Sequence, residues 1–168
     1  MCKKNSTFAA KKRKNKTMLQ IGDTMPAFNV QDEKGEEWTE KKLVGHKTVI
    51  YFYPKDSTPG CTSEACNIRD NYHAFLAQGY TVVGVSKDSM ASHVRFKEKY
   101  NLPFPLLSDP TTEMMQAFGA WGEKKRFSTG AGKTTMGTLR KTFIFDETGV
   151  LVRIIEKVDT KNHAAQVL

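Results

Sequence analysis

The chain has 168 residues, of which 39% are hydrophobic and 26% charged, with a formal net charge of +8. This length and composition predict one globular domain with a substantial core. The longest uninterrupted apolar run is about five residues, whereas a membrane-spanning helix needs about 20, so the sequence excludes such a helix.

The excess positive charge lies in residues 1–17, which hold seven lysines and arginines and no acidic residue. Without these seven, 19 basic residues remain against 18 acidic ones, a net charge of +1. A basic run can bind nucleic acid or an anionic membrane surface, but this composition is also typical of a disordered extension. We expect a disordered tail at 1–17, a domain at 18–168, and neither nucleic acid nor membrane as a partner.

The first half of the predicted domain alternates between strand and helix signals. Runs of β-branched and aromatic residues, apolar on successive positions, predict strands that are buried on both faces. Between two such runs, apolar residues recur with the helical period up to Gly79, so the segment predicts a right-handed βαβ unit. The predicted elements are, in order, a hairpin of 28–31 and 36–38, a strand at 47–53, a helix at 62–77 and a strand at 80–86.

The second half predicts further helices and a final hairpin. Its elements are a helix capped by Asp88 or Ser89, an extended piece at 106–107, a short helix opening at 109–111, an irregular loop at 119–138, paired strands at 141–146 and 150–155, and a helical turn or two within 161–168. This order predicts an α/β protein with a central mixed β-sheet flanked by helices and an N-terminal hairpin extension. The thioredoxin-like fold has this order of elements.

The stretch 51–70, YFYPKDSTPGCTSEACNIRD, carries the strongest signal of a reactive centre. It predicts a strand, a turn-rich loop and a helix, with Cys61 at the first turn of that helix. Because unpaired N–H groups and the helix dipole favour negative charge there, a thiolate at Cys61 is stabilised. Cys66 follows five residues later. In the reducing cytoplasm, where we expect the protein, such a pair is catalytic or metal-binding rather than structural.

The C-x4-C spacing limits how the two cysteines can react. Five residues of regular helix separate two Cα atoms by about 8–9 Å, whereas a disulfide needs them closer than about 7 Å. A bridge therefore requires the first turns of the helix to unwind. An accessible thiolate that attacks a peroxide becomes sulfenic acid, which a nearby thiol condenses to a disulfide. Cys61 fits the attacking thiolate and Cys66 the resolving thiol.

Several neighbouring residues are candidates for holding the thiolate. Thr58 can present a hydroxyl near the sulfur, although it can equally close a turn or cap the helix. Pro54 removes backbone freedom and shields the thiol. No cation lies close in sequence, so Arg140 and Arg69 are the candidates for stabilising negative charge. Glu64 either belongs to the site or forms a surface ion pair with Arg69.

Residues 54–61 read P-x3-T-x2-C, and this pattern resembles the active-site motif of the peroxiredoxins. The spacing to Cys66 resembles the branch that includes peroxiredoxin Q and bacterioferritin comigratory protein. The resemblance runs from Met18 to Leu168. It includes PFPLLSDP at 103–110, FGAWGEKK at 118–125 and LRKTFIFDETG at 139–149.

The resemblance implies a thiol peroxidase with Cys61 as the peroxidatic and Cys66 as the resolving cysteine. It further implies that Thr58 and Arg140 bind the peroxide oxygens and that Pro54 shields the thiol. The implied fold is that of thioredoxin, without a metal or organic cofactor. The implied reductant is thioredoxin or a similar dithiol protein, and we expect a monomer.

Two other classes of function stay open on the residues alone. A thioredoxin-like disulfide oxidoreductase would carry C-x-x-C at the helix start, but Glu64 occupies the third position after Cys61. A non-catalytic metal- or thiol-binding domain could use Cys61, Cys66 and His73, although this spacing does not match common zinc patterns.

Overall fold

The computed structural model describes residues 19–125 and 134–168, so the predicted tail at 1–17 lies outside the described residues. Within these ranges, no helix is long and apolar enough to cross a membrane. The strands are β1 (Asn29–Asp32), β2 (Glu37–Thr39), β3 (Lys47–Phe52), β4 (Tyr80–Ser86), β5 (Leu106–Ser108), β6 (Trp121–Lys125), β7 (Thr134–Thr138), β8 (Lys141–Phe145) and β9 (Leu151–Ile155). The helices are α1 (Glu40–Leu43), α2 (Pro59–Asp70), α3 (Tyr72–Ala77), α4 (Met90–Tyr100), α5 (Glu113–Phe118) and α6 (His163–Val167).

Seven of the strands form one mixed sheet in the order β2-β1-β5-β4-β3-β8-β9. The central strands β3, β4 and β5 are parallel, and antiparallel hairpins extend the sheet at both edges. Strand β1 of the N-terminal hairpin pairs with β5, where Gln31 lies opposite Ser108. The predicted mixed sheet with an N-terminal hairpin extension is therefore confirmed.

The centre of the sheet is buried on both faces because its strands carry runs of successive apolar residues, such as Val49–Phe52 on β3. On β3, Ile50 and Phe52 enter the core cluster beneath α5, while Val49 and Tyr51 enter the cluster beneath α2. Successive side chains of a strand point to opposite faces, so an unbroken apolar run supplies two cores at once. The helix that follows β3 therefore packs with its first turn at the carboxyl edge of the sheet.

The helix predicted over 62–77 is wrong in its bounds, because the chain forms two helices, α2 and α3. The break falls at Asn71, whose side-chain amide donates to the carbonyl of Asn67 at 2.8 Å. Asparagine side chains compete with the backbone for hydrogen bonds in this way and favour helix ends. The start also differs, since Pro59 is the first residue of α2 and its fixed φ suits that position.

The irregular loop predicted at 119–138 is also wrong. Strands β6 and β7 form an antiparallel hairpin of their own, in which Trp121 lies opposite Thr138; residues 126–133 lie outside the described residues. Lysines, threonines and glycines fill this two-stranded ribbon without an alternating apolar pattern. The ribbon meets the main core through Trp121 and Thr138, and these two positions are too few to give the usual strand signal.

Candidate active site

Cys61 is the third residue of α2, the helix that follows β3 after the loop 53–58. Its side chain is 1% exposed and belongs to the core cluster that α2 covers. The first carbonyl bonded within the helix is that of Thr58, which accepts from the N–H of Thr62 at 2.8 Å. The sulfur therefore lies in the first turn, where a helix favours negative charge.

Arg140 supplies the cation at this thiol. Strand β8 runs antiparallel to β3, and Lys141 at its start lies opposite Phe52 at the end of β3. Arg140, the residue before β8, therefore lies at the edge of the sheet where α2 begins. The guanidinium Nη2 lies 3.3 Å from Cys61 Sγ. A Cβ at Gly60 would stand 3.3 Å from the same Nη2, so a glycine there leaves room for the guanidinium.

Glu64 lies one helical turn after the cysteine and holds the other side of the guanidinium. Its side chain is fully buried, and Oε1 is 3.5 Å from Arg140 Nη1. Burial raises the pKa of Glu64 to about 7, against the lowering effect of the Arg140 charge. Oε2 has no hydrogen-bond partner among the residues that the structure describes. Glu64 therefore belongs to the site, and its suggested surface ion pair with Arg69 does not form.

Replacing Glu64 with glutamine should flatten the pH dependence of stability between about pH 4.5 and 7. Between the ordinary value of 4.5 and the folded pKa of about 7, the folded state binds more protons than the unfolded state. The free energy of unfolding therefore falls as pH rises through this window, by about 3 kcal/mol in total. Denaturant unfolding of reduced wild-type and Glu64→Gln protein from pH 4.5 to 8 measures the difference in slope.

Glu98→Gln is the matched control, because Glu98 is exposed on α4. That variant should keep the wild-type slope. Equal slopes in the wild-type and Glu64→Gln proteins would contradict the raised pKa of Glu64.

Lys124 on β6 is a site-side residue that the sequence reasoning missed. Burial lowers the pKa of Lys124, the charge of Arg140 lowers it further, and Cys61 acts in the opposite direction. The charges of Arg140 and Cys61 therefore act on a lysine of the hairpin β6–β7. No sequence signal marked Lys124, because it is one of several lysines in a segment without periodicity.

Thr58 and Pro54 both lie in the loop between β3 and α2. The Thr58 hydroxyl donates to the carbonyl of Lys55 at 2.8 Å and forms no side-chain cap on α2. Because the hydroxyl hydrogen is already donated, Thr58 Oγ1 can act only as a hydrogen-bond acceptor toward a ligand. Pro54 is half-buried and follows the end of β3 by two residues.

Cys66 is half-buried on the same helix as Cys61, and neither cysteine is in a disulfide. The residue after it, Asn67, accepts a hydrogen bond from the N–H of Ala164 at 2.8 Å, which fastens α2 to α6. The prediction that Arg69 could supply the cation at the thiol is wrong. It pairs with Asp70 at 2.9 Å and donates to the carbonyl of Tyr100.

The histidines show no arrangement that would bind a metal ion. His46 and His73 are exposed, whereas His93 and His163 are buried and hydrogen-bonded. Over residues 19–125 and 134–168, no group of three or more histidine, cysteine or acidic side chains could hold a metal.

The fold and the site define a thioredoxin-like protein with a buried cysteine beside a guanidinium at a helix start. The AhpC/TSA family model matches residues 21–154, so the chain belongs to the AhpC/TSA family. It is 42% identical over 150 residues to a putative peroxiredoxin bcp of Coxiella burnetii, covering 89% of this chain and 97% of that one. The peroxiredoxin Bcp of Bacillus subtilis is also 42% identical over 150 residues, covering 89% and 93% of the two chains.

Solved structures give the same assignment. The bacterioferritin comigratory protein of Xanthomonas campestris, whose alkyl peroxide reduction activity was studied in trapped intermediate and ligand complexes, superposes with a TM-score of 0.78. The two are 35% identical, and the match covers 90% of this chain and 94% of that one. The predicted family and the predicted class of enzyme, a thiol peroxidase, are confirmed.

Proposed function

We propose that this protein reduces hydrogen peroxide and alkyl hydroperoxides with Cys61 as the attacking thiolate. The observation that carries the proposal is the Arg140 guanidinium, 3.3 Å from Cys61 Sγ at the first turn of a helix. The N–H groups at a helix start and a guanidinium both stabilise negative charge on a neighbouring atom. The similar Xanthomonas protein, with its alkyl peroxide reduction activity, supports the choice of substrate.

Arg140 and Thr58 are proposed to orient the peroxide. The guanidinium has donors left beyond its contacts with Cys61 and Glu64, and these can bind both peroxide oxygens. Thr58 Oγ1 already donates to a carbonyl, so it accepts the hydrogen of the peroxide O–H group. Pro54, at the end of β3, is proposed to shield the thiolate from solvent.

The first chemical step transfers one oxygen atom. The thiolate attacks the distal oxygen of R–O–O–H, the S–O bond forms and the O–O bond breaks. Sulfur is oxidised by two electrons to sulfenic acid, and the leaving alkoxide takes a proton to become an alcohol, or water when the substrate is hydrogen peroxide. The Arg140 charge stabilises the negative charge that moves onto the leaving oxygen.

Cys66 is proposed to resolve the sulfenic acid. Its thiolate attacks the Cys61 sulfur, the S–S bond forms, the S–O bond breaks, and the leaving hydroxide takes a proton to become water. Both cysteines lie within the continuous helix α2, where their Cα atoms are about 8–9 Å apart. The helix must therefore unwind between them before the bridge can close.

The remaining partners follow from this cycle. A dithiol protein such as thioredoxin is proposed to reduce the disulfide, and the reducing cytoplasm is the proposed compartment, since it keeps such reductants available. We propose that one chain suffices, because both thiols lie on the same helix. The domain at 18–168 is proposed to carry the activity, and the tail at 1–17 to take no part in it or in nucleic-acid binding.

The experiment that tests the function is peroxide-dependent oxidation of thioredoxin by the full-length protein. Thioredoxin should be consumed only when both the protein and hydrogen peroxide or an alkyl hydroperoxide are present. Mass mapping of the oxidised protein should locate a Cys61–Cys66 disulfide. Turnover without this disulfide would contradict Cys66 as the resolving residue.

Oxidation should raise amide exchange over residues 61–66 of α2. The disulfide cannot form in regular helix, so the oxidised state loses the hydrogen bonds that protect these amides. Hydrogen–deuterium exchange of the reduced and the oxidised protein measures the change. Cys66→Ser is the control, since it can form sulfenic acid but no bridge and should keep the protection. Unchanged exchange on disulfide formation would contradict the unwinding.

A further inference from the structure

The loop that joins β3 to α2 is anchored by a buried carboxylate that the proposed chemistry does not use. The Asp56 side chain is 2% exposed and lies 2.6 Å from His93 Nδ1. It accepts hydrogen bonds from the hydroxyls of Tyr53 at 2.6 Å and Ser92 at 2.8 Å. Its backbone N–H donates to Asp88 Oδ2 at 2.8 Å. Any shift of this part of the loop would break several of these bonds together.

His93 is fully buried on α4, and both of its ring nitrogens face acceptors. Nε2 lies 3.0 Å from the carbonyl oxygen of Leu107, which can only accept, so Nε2 carries a hydrogen. A proton must also occupy the contact between Nδ1 and Asp56, because two buried acceptors would otherwise face each other.

The loop needs such an anchor because it contains an unfavourable backbone conformation. Ser57, the residue after Asp56, has a φ of 61° in the left-handed region. A non-glycine residue stays in this region only where its surroundings impose it. The other buried histidine, His163, forms its hydrogen bonds in the described part of the chain with the neutral side chains of Thr142 and Gln166. Packing a buried histidine in this protein therefore does not require a carboxylate.

We propose that Asp56 and His93 are positioning residues for the peroxide reaction. Their hydrogen bond holds the strained loop against α4 and β5, and thereby keeps Thr58, the residue after Ser57, where it accepts the hydrogen of the peroxide O–H group beside Cys61 and Arg140. This proposal rests on the proposed function. Neither Asp56 nor His93 touches the reacting atoms, so their effect is on peroxide geometry and not on thiolate formation.

The test compares two reactions of Cys61 in the reduced full-length protein. One is the second-order reaction with hydrogen peroxide. The other is alkylation by iodoacetamide, which needs the thiolate but no oriented peroxide oxygens, followed at the Cys61 peptide by mass spectrometry because the chain has three cysteines. His93→Leu removes both ring donors at similar volume. His93→Asn keeps an amide N–H where Nδ1 stands, and His73→Leu is the matched control on the exposed histidine of α3.

His93→Leu should lower the peroxide rate constant about 100-fold, the effect expected of a small misplacement of reacting groups. Its alkylation rate should stay at the wild-type value, and His93→Asn should recover most of the peroxide rate. His73→Leu should change neither reaction. A parallel fall of both rates in His93→Leu, an unchanged peroxide rate, or His93→Asn no better than His93→Leu would overturn the proposal.

Amide exchange over residues 55–60 gives a readout that does not depend on peroxide. Exchange should be faster in His93→Leu than in His93→Asn and wild type, and equal exchange would overturn the anchoring. Failure of the wild-type protein to reduce any peroxide would refute the proposed function instead. Faster exchange in His93→Leu would then still support the anchoring of the loop.

Discussion

Cys61→Ser protein should reduce no peroxide beyond the rate of the uncatalysed reaction. The serine hydroxyl has nearly the shape of the thiol, so the buried position in the first turn of α2 should still be filled. A hydroxyl is not ionised at neutral pH, however, and the structure offers it a guanidinium rather than a general base. Peroxide consumption with thioredoxin, thioredoxin reductase and NADPH measures the loss.

Cys66→Ser is the control that separates the attack on peroxide from the rest of the cycle. Because Cys61 is intact, this variant should consume one equivalent of hydrogen peroxide rapidly and accumulate sulfenic acid, which a dimedone adduct on the Cys61 peptide would reveal. Continued turnover of Cys61→Ser with a dithiol reductant would show that another group attacks the peroxide. The mechanism proposed here would then be wrong.

Local patterns in the sequence predict the part of the site that lies on contiguous residues. The unbroken apolar run of β3 predicts a strand buried on both faces, and Pro54 with the turn residues after it predicts the loop that follows. Pro59 then starts α2, which puts Cys61 in its first turn. Each of these steps depends on neighbours within a few residues, so sequence periodicity and turn chemistry are sufficient.

The partners of the thiol from distant segments are not predictable in this way. Arg140 reaches Cys61 only because β8 pairs with β3 in a register that sets Lys141 opposite Phe52. Local patterning predicts strand β8 but not its neighbour, so it left Arg140 and Arg69 both as candidate cations until the resemblance to the peroxiredoxins favoured Arg140. Lys124 depends on a hairpin outside the main sheet, which carries no apolar signal.

Glu64 is predictable only in part from the local sequence. Its spacing of three residues from Cys61 puts both side chains on one face of a helix, which geometry predicts. Whether that face is buried or exposed depends on what packs against α2. The spacing alone could not separate a site carboxyl from a surface ion pair, and only its burial beside Arg140 decides between them.

Arg140→Met should lower the second-order rate constant for hydrogen peroxide by about 10²–10³-fold, the cost typical of removing one preorganised donor to a developing negative charge. In the proposed mechanism the guanidinium, 3.3 Å from Cys61 Sγ, stabilises negative charge on the sulfur in the ground state and on the leaving oxygen in the transition state. Arg140→Lys keeps the charge, but an ammonium cannot reach Cys61 Sγ and Glu64 Oε1 with separate planar donors. Its rate constant should lie between those of wild type and Arg140→Met, as measured by stopped-flow with reduced protein.

Glu64 complicates this comparison, because Arg140→Met also removes the cation beside a buried carboxyl. The pKa of Glu64, already raised by burial, should rise further and the side chain should be neutral at pH 7. The comparison is therefore repeated between the Glu64→Gln protein and the double variant Glu64→Gln/Arg140→Met, which both lack the Glu64 carboxylate. If Arg140 acts on the peroxide, Arg140→Met should lower the rate constant as much in the Glu64→Gln protein as in the wild type. The control Arg95→Met, on the exposed face of α4, should leave the rate constant unchanged. A loss that vanishes in the Glu64→Gln background would assign Arg140 to neutralising Glu64 rather than to binding peroxide.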